Sequence, residues 1–182
     1  QGSQRAAMGY TLYQEDEIYR EEVDKCAALL TPHLGFDIRD LLGNDDEEAA
    51  AKMMQTAYSQ PCLFVVDYAL AKRLMASGIE PVAMIGHSLG ELVAACLAKV
   101  FSLADALALV ALRGKLMQAC EPGSMVAVFE TASEIEPRLQ GGLEVAAYNA
   151  PDSTVVSGSD EMIKALCETL DAYEVGYRVL QT

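Results

Sequence analysis

The segment Gly86-His87-Ser88-Leu89-Gly90-Glu91 follows an apolar run, Val82-Ala83-Met84-Ile85, and precedes a helix-forming run from Leu92 to Ala98. This order predicts a strand that turns sharply into a helix, with Ser88 on the turn. Glycines two residues to either side let the chain pass close by, so the hydroxyl is pushed out of the backbone. It then stands at a helix N-terminus, where backbone N–H groups can stabilise an oxyanion. The bare Gly-x-Ser-x-Gly pattern also occurs in ordinary glycine loops. The strand, turn and helix around it are what predict a nucleophile elbow.

Length and composition bound the rest. A chain of 182 residues with 52% hydrophobic and 22% charged residues has room for one ordinary well-cored domain or a domain carrying a small subdomain. Its longest apolar stretches are interrupted by Asp67, Lys72, Glu91, Lys99 and Asp105. None therefore reaches the ~18 residues of a membrane span, and the chain reads as soluble with no membrane partner. The net charge of −14 repels a phosphate backbone, which excludes nucleic acid; an anionic small molecule needs a local Arg or Lys to receive it. Five cysteines, Cys26, Cys62, Cys96, Cys120 and Cys167, are scattered singly and read as reduced core residues of a cytoplasmic protein. With only His33 and His87 beside them, no metal site is expected.

Residues 11–42 carry helical patterning that ends at the Pro32 and Gly35 breaks. The acidic run 44–48 reads as a solvated loop or helix start. The next helix is expected to begin near Pro61, carry the stripe Leu63, Val66, Leu70, Leu74 against a sheet, and end at Gly78. Ser102-Leu103-Ala104-Asp105 resembles a capping box opening a helix to about Ala119. From Ser124 the texture changes to strand, short helix (132–140), two strands (143–148 and 154–157), helix (159–173) and a last strand (176–180). This βαββαβ order is that of a ferredoxin-like unit. The expected architecture is α/β, with a large subdomain over 1–123 and a small ferredoxin-like subdomain over 124–182.

In the 103–119 helix, Arg113 lies beside the apolar residues Leu109, Leu116 and Met117. Burying a guanidinium without a partner is costly. Helix position alone favours a snorkelling arginine near the C-terminus. The alternative is a fork that holds a carboxylate or phosphate in a site shared with Ser88.

Taken together, six segments resemble the malonyl-CoA:acyl carrier protein transacylase family, above all the acyltransferase domains of modular polyketide synthases and fatty acid synthases. They are Gln1-Gly2-Ser3-Gln4 with Met8-Gly9, Gln60-Pro61-Cys62-Leu63-Phe64, the elbow itself, Arg113-Gly114-Lys115-Leu116-Met117-Gln118, Tyr148-Asn149-Ala150-Pro151, and Val155-Val156-Ser157-Gly158. The resemblance implies an α/β-hydrolase-like large subdomain with the ferredoxin-like unit inserted. It implies that Ser88 carries a malonyl group from malonyl-CoA as an ester, with no bound cofactor, before passing it to the phosphopantetheine of an acyl carrier protein. It assigns the oxyanion hole to the N–H groups of Gln1 and Leu89, and the substrate carboxylate to Arg113. Gln60, His87 and Asn149 fall at the pocket, and Leu89 goes with malonyl as the extender. A neighbouring ketosynthase and linker are the implied partners.

The family's general base is a histidine in a Ser-His-x-x-x-His segment, and the sequence ends at Leu180-Gln181-Thr182, about where that segment would begin. His87, on the turn, and His33, between Pro32 and Gly35, read as structural or solvated. The chain is therefore expected to be an excerpt of a larger synthase, with an incomplete large subdomain and no activity alone. An α/β-hydrolase or thioesterase is the alternative that the elbow itself allows, although no histidine follows Ser88. A non-catalytic structural domain is the third reading.

Overall fold

The structure, a computed structural model, describes residues 2–180. It divides into two units, Ser3–Cys120 and Glu121–Thr182, each with its own apolar core.

The first unit is built from helices: α1 (Tyr10–Glu15), α2 (Glu17–Leu34), α3 (Arg39–Leu42), α4 (Glu47–Met53), α5 (Thr56–Ala76), α6 (Leu89–Leu97) and α7 (Leu103–Gln118). Side-chain caps start three of its helices where the sequence changes from acidic or polar to apolar. Asp16 accepts the Tyr19 N–H at 2.9 Å, Asp46 that of Ala49 at 2.8 Å, and Ser102 that of Asp105 at 3.1 Å. The acidic run 44–48 is thus the cap and first turn of α4. Asp16 also pairs with Arg73 of α5, and the Tyr19 N–H and the guanidinium hold its carboxyl below the usual carboxylate range.

Proline positions account for two departures from expectation. Helix α2 runs through Pro32, carries His33 in its last turn, and closes at Gly35. Pro61 lies inside α5 rather than at its start, because the helix begins five residues earlier at Thr56. The ring removes the N–H that would otherwise bond the carbonyl of Ala57. The α5 side chains are buried almost continuously from Ser59 to Val65, whereas Leu70 and Leu74 of the expected stripe are exposed. The helix packs on α2, α6 and α7 rather than on a sheet.

Helix α7 likewise turns a different face inward. Its core side is Ala106, Leu107, Val110, Ala111 and Gly114, and the bulkier Leu109, Leu112, Leu116 and Met117 are exposed. The small residues face α5 because the helices approach closely: a Cβ on Gly114 would lie 3.0 Å from the Thr56 carbonyl oxygen and 3.3 Å from the Ala57 Cα.

Residues 82–85, expected to supply a strand before the elbow, form no strand and have no ladder partner among the described residues. Val82 and Ile85 are fully exposed there. A strand needs a neighbour to accept its N–H groups, and the described part of this unit offers only helices. Of the cysteines, Cys26, Cys62 and Cys96 are buried, and burial pushes the first two thiols up to about 12. Cys167 is half-buried and Cys120 is exposed, contrary to a core role.

The second unit comprises β1 (Ser124–Val128), α8 (Ala132–Ile135) with a 3-10 turn (Glu136–Arg138), β2 (Glu144–Ala150), β3 (Ser153–Gly158), α9 (Asp160–Ala172) and β4 (Tyr177–Leu180). The strands form one antiparallel sheet in the order β2-β3-β1-β4. Thr131 and Glu134 close a capping box on α8, and Ser159 caps α9. Val126, Val128 and Val156 meet Ile135, Ile163, Leu166 and Leu170 in the core. The chain is therefore α/β, with helices and an antiparallel sheet. No helix among the described residues is long and apolar enough to cross a membrane, and no cluster of potential metal ligands occurs among them.

Gly114→Ala should destabilise the first unit by about 1–3 kcal/mol, because its methyl meets backbone that cannot yield. Denaturant unfolding measures this, and a change within about 0.5 kcal/mol would show that α5 and α7 can separate freely. Because the Asp16 carboxyl is lowered on folding, its stabilisation is present above the ordinary carboxylate range and is lost as pH falls through the lowered value. Asp16→Asn should remove that part of the acid sensitivity in an unfolding series run from neutral to acid pH.

Candidate active site

Ser88 is the N-cap residue of α6, with φ 52° and ψ −111°, a conformation that costs a non-glycine residue about 1–3 kcal/mol. The strain is enforced by the way the chain doubles back. A Cβ on Gly86 would lie 2.1 Å from the Gly90 carbonyl carbon and 2.2 Å from the Glu91 nitrogen, so residue 86 must be glycine. Gly90, by contrast, has open space around its Cβ position. Only one of the two elbow glycines is thus required by close approach. The hydroxyl is exposed, and the N–H of Leu89 belongs to the first turn of α6, where intrahelical acceptors are lacking.

The arginine from α7 reaches this serine. Arg113 donates from Nη2 to Ser88 Oγ at 3.1 Å and from Nη1 to Gln60 Oε1. Gln60 is fully buried in α5, and its Nε2 donates to the Met117 sulfur at 3.2 Å. Among the described residues Arg113 forms no ion pair with a carboxylate. The half-buried guanidinium is therefore held by neutral acceptors, with its charge available to an anion. An open groove of about 590 Å³ lies beside it, lined by Ser88, Glu91, Leu92, Leu109, Leu112, Arg113, Leu116 and Met117. Its long wall is the exposed apolar face of α7.

The structure therefore brings together Ser88, Arg113 and Gln60 of the residues expected at the site. His87 is exposed on the turn, as its sequence position suggests. Leu89 contributes its backbone at the helix start, but its side chain is buried in the core. Asn149 lies exposed in β2, in the second unit, and Gln1 is outside the described residues. Sequence reasoning missed Met117 and the leucines as groove residues. Together with Arg113 they have i, i+3, i+4, i+7, i+8 spacing, a pattern that by itself marks a core-facing helix side.

A family model described as "Acyl transferase domain" matches residues 1–182. The chain belongs to the acyl transferase domain family. It is similar to acyltransferase domains of modular type I polyketide synthases. It is 41% identical over 169 residues to the phenolphthiocerol synthesis polyketide synthase type I Pks15/1 of Mycobacterium marinum, covering 92% of this chain and 8% of that protein. Among solved structures, the acyl transferase domain of ZmaA matches with TM-score 0.89 and 38% identity, over 98% of this chain and 43% of that one. The acyl transferase domain of SpnD, solved in complex with 2-(pent-4-yn-1-yl)malonyl, matches with TM-score 0.87 and 42% identity, over 98% and 42%. The chain thus spans under half of each solved domain and a small fraction of the synthase. This membership supports a transferase and does not favour the hydrolase or thioesterase alternative.

The acyl transferase elbow should be sharply asymmetric in its tolerance. Gly86→Ala is expected to cost more than about 3 kcal/mol and to abolish labelling of Ser88 by a serine-directed phosphonate. Gly90→Ala should fold with unchanged or slightly raised stability, as alanine is the better helix residue. Thermal unfolding of the two variants side by side checks the contrast.

Proposed function

We propose that this chain supplies the acyl-carrying site of an acyltransferase that loads a malonyl-type extender unit from CoA onto an acyl carrier protein. The observation that carries the reading is the Arg113 guanidinium, free of any carboxylate partner among the described residues and 3.1 Å from Ser88 Oγ. A malonyl ester on Ser88 has its second carboxylate only one methylene beyond the ester carbonyl. That carboxylate can take the guanidinium hydrogen bond that the free hydroxyl now receives. The SpnD acyl transferase domain, solved in complex with 2-(pent-4-yn-1-yl)malonyl, adds weight from a relative.

In this reading the Ser88 oxygen attacks the thioester carbonyl, forming the C–O bond of the acyl-enzyme as the C–S bond to CoA breaks. The serine proton passes to a general base and then to the departing CoA sulfur. The resemblance assigns the base to a histidine outside these residues. The resemblance assigns the oxyanion to the N–H groups of Leu89 and Gln1. The thiol of a carrier protein's phosphopantetheine then attacks the ester, and Ser88 recovers its proton. The large subdomain is read as α/β-hydrolase-like, with the second unit as its ferredoxin-like insertion. The parent is read as a cytoplasmic synthase with a neighbouring ketosynthase, and Leu89 as an indicator of malonyl.

Incubating the full-length polypeptide with malonyl-CoA should add one malonyl group to the Ser88 peptide, as seen by mass spectrometry. No mass increase there would sink the proposal. Arg113→Ala should lower the preference for malonyl-CoA over acetyl-CoA by roughly tenfold to a hundredfold, the value of a charge-assisted hydrogen-bonded pair. An unchanged preference would remove Arg113 from its role.

A further inference from the structure

Gln60 is a side-chain amide enclosed by protein, so both of its ends need partners. Arg113 is a donor with no acceptor capacity, which requires that the amide oxygen, and not the nitrogen, face the guanidinium. The opposite end must then find an acceptor. Among the described residues it has the thioether of Met117, 3.2 Å from Nε2. Met117 lies four residues after Arg113, one turn along the same face of α7, and Gln60 reaches across from α5 between the two.

We propose that Met117 is a positioning residue. Its sulfur sets which way the Gln60 amide is turned, and the amide oxygen in turn aims the Arg113 guanidinium at the group carried on Ser88. A leucine at 117 fills a similar volume but accepts no hydrogen bond. The Gln60 N–H would then be buried without a partner, or the amide would flip and set its N–H2 against the cation. Either outcome releases the guanidinium from its place over the groove. The cost falls on substrates that use the guanidinium, and spares those that lack a carboxylate.

The inference rests on the malonyl-type reading above, and its test separates the two. Full-length protein and its Met117→Leu variant are compared in transfer from malonyl-CoA and from acetyl-CoA. The expected result is a fall of about three- to tenfold in the ratio of kcat/KM for malonyl-CoA to that for acetyl-CoA, carried mainly by KM for malonyl-CoA. Leu116→Ala, which alters the groove wall without touching Gln60, should lower both substrates alike. Equal losses for both CoA esters in Met117→Leu, or an unchanged ratio, would overturn the positioning role while leaving malonyl transfer intact. Absence of malonyl on Ser88 in the unmutated protein would overturn both.

Discussion

The distance between α5 and α7 sets the geometry of the site. It is short because residue 114 has no side chain: the Thr56 carbonyl occupies the space a methyl would need. The residues that permit the approach adjoin those that use it. Gly114 follows Arg113, and Pro61, which has no N–H to give the Ala57 carbonyl, follows Gln60. Gln118 adds a long bond of 3.5 Å from the Ala57 N–H, tying the last turn of α7 to the first turn of α5. A buried amide on one helix thus meets a guanidinium on the other with little rotational freedom. Side chains held this way lose less entropy when an anion binds than a surface arginine would.

The elbow meets that pair from the other side. Its strained φ at Ser88 is maintained by packing in which Gly86 lies against Gly90 and Glu91, and by the burial of Leu89 and Val93 in the core. The hydroxyl, at the positive end of α6, and the guanidinium converge on an apolar groove in a chain whose net charge is −14. The general field repels an anion at a distance. At hydrogen-bond range the unpaired guanidinium dominates, since short-range pairing is screened far less than the summed surface charge. Leucine walls beside it lower the local dielectric and strengthen that preference.

Elements governed by local chemistry were legible in the sequence. The cap at Ser102 is a short-range bond, and the strands and helices after Ser124 alternate at lengths that leave few options. The elbow and the partnership of Ser88 with Arg113 and Gln60 came from motif and resemblance rather than from periodicity. What the sequence concealed depends on which neighbour an element meets. Leu63, Val66, Leu70 and Leu74 have helical spacing, yet only the first half of α5 is enclosed by other helices. The run 82–85 has strand-like composition, but pairing is a property of two segments, and composition reports only one. On α7 the larger apolar residues suggested the core side, whereas close helix packing selected the small ones.

That inversion on α7 also decides where selectivity for an acyl group can reside. The Leu89 side chain is 3% exposed and packed in the core, so a substitution there acts on a group at Ser88 only by shifting α6 or its first N–H. Leu109, Leu112, Leu116 and Met117 line the groove directly, at 41–58% exposure, and can change its width without disturbing the core. Arg113 stands among them on the same helix face. One turn of α7 therefore carries both the charge that would recognise a carboxylate and the apolar surface that a neighbouring substituent would touch. Moving that turn alters both properties together, whereas replacing a single leucine alters shape alone.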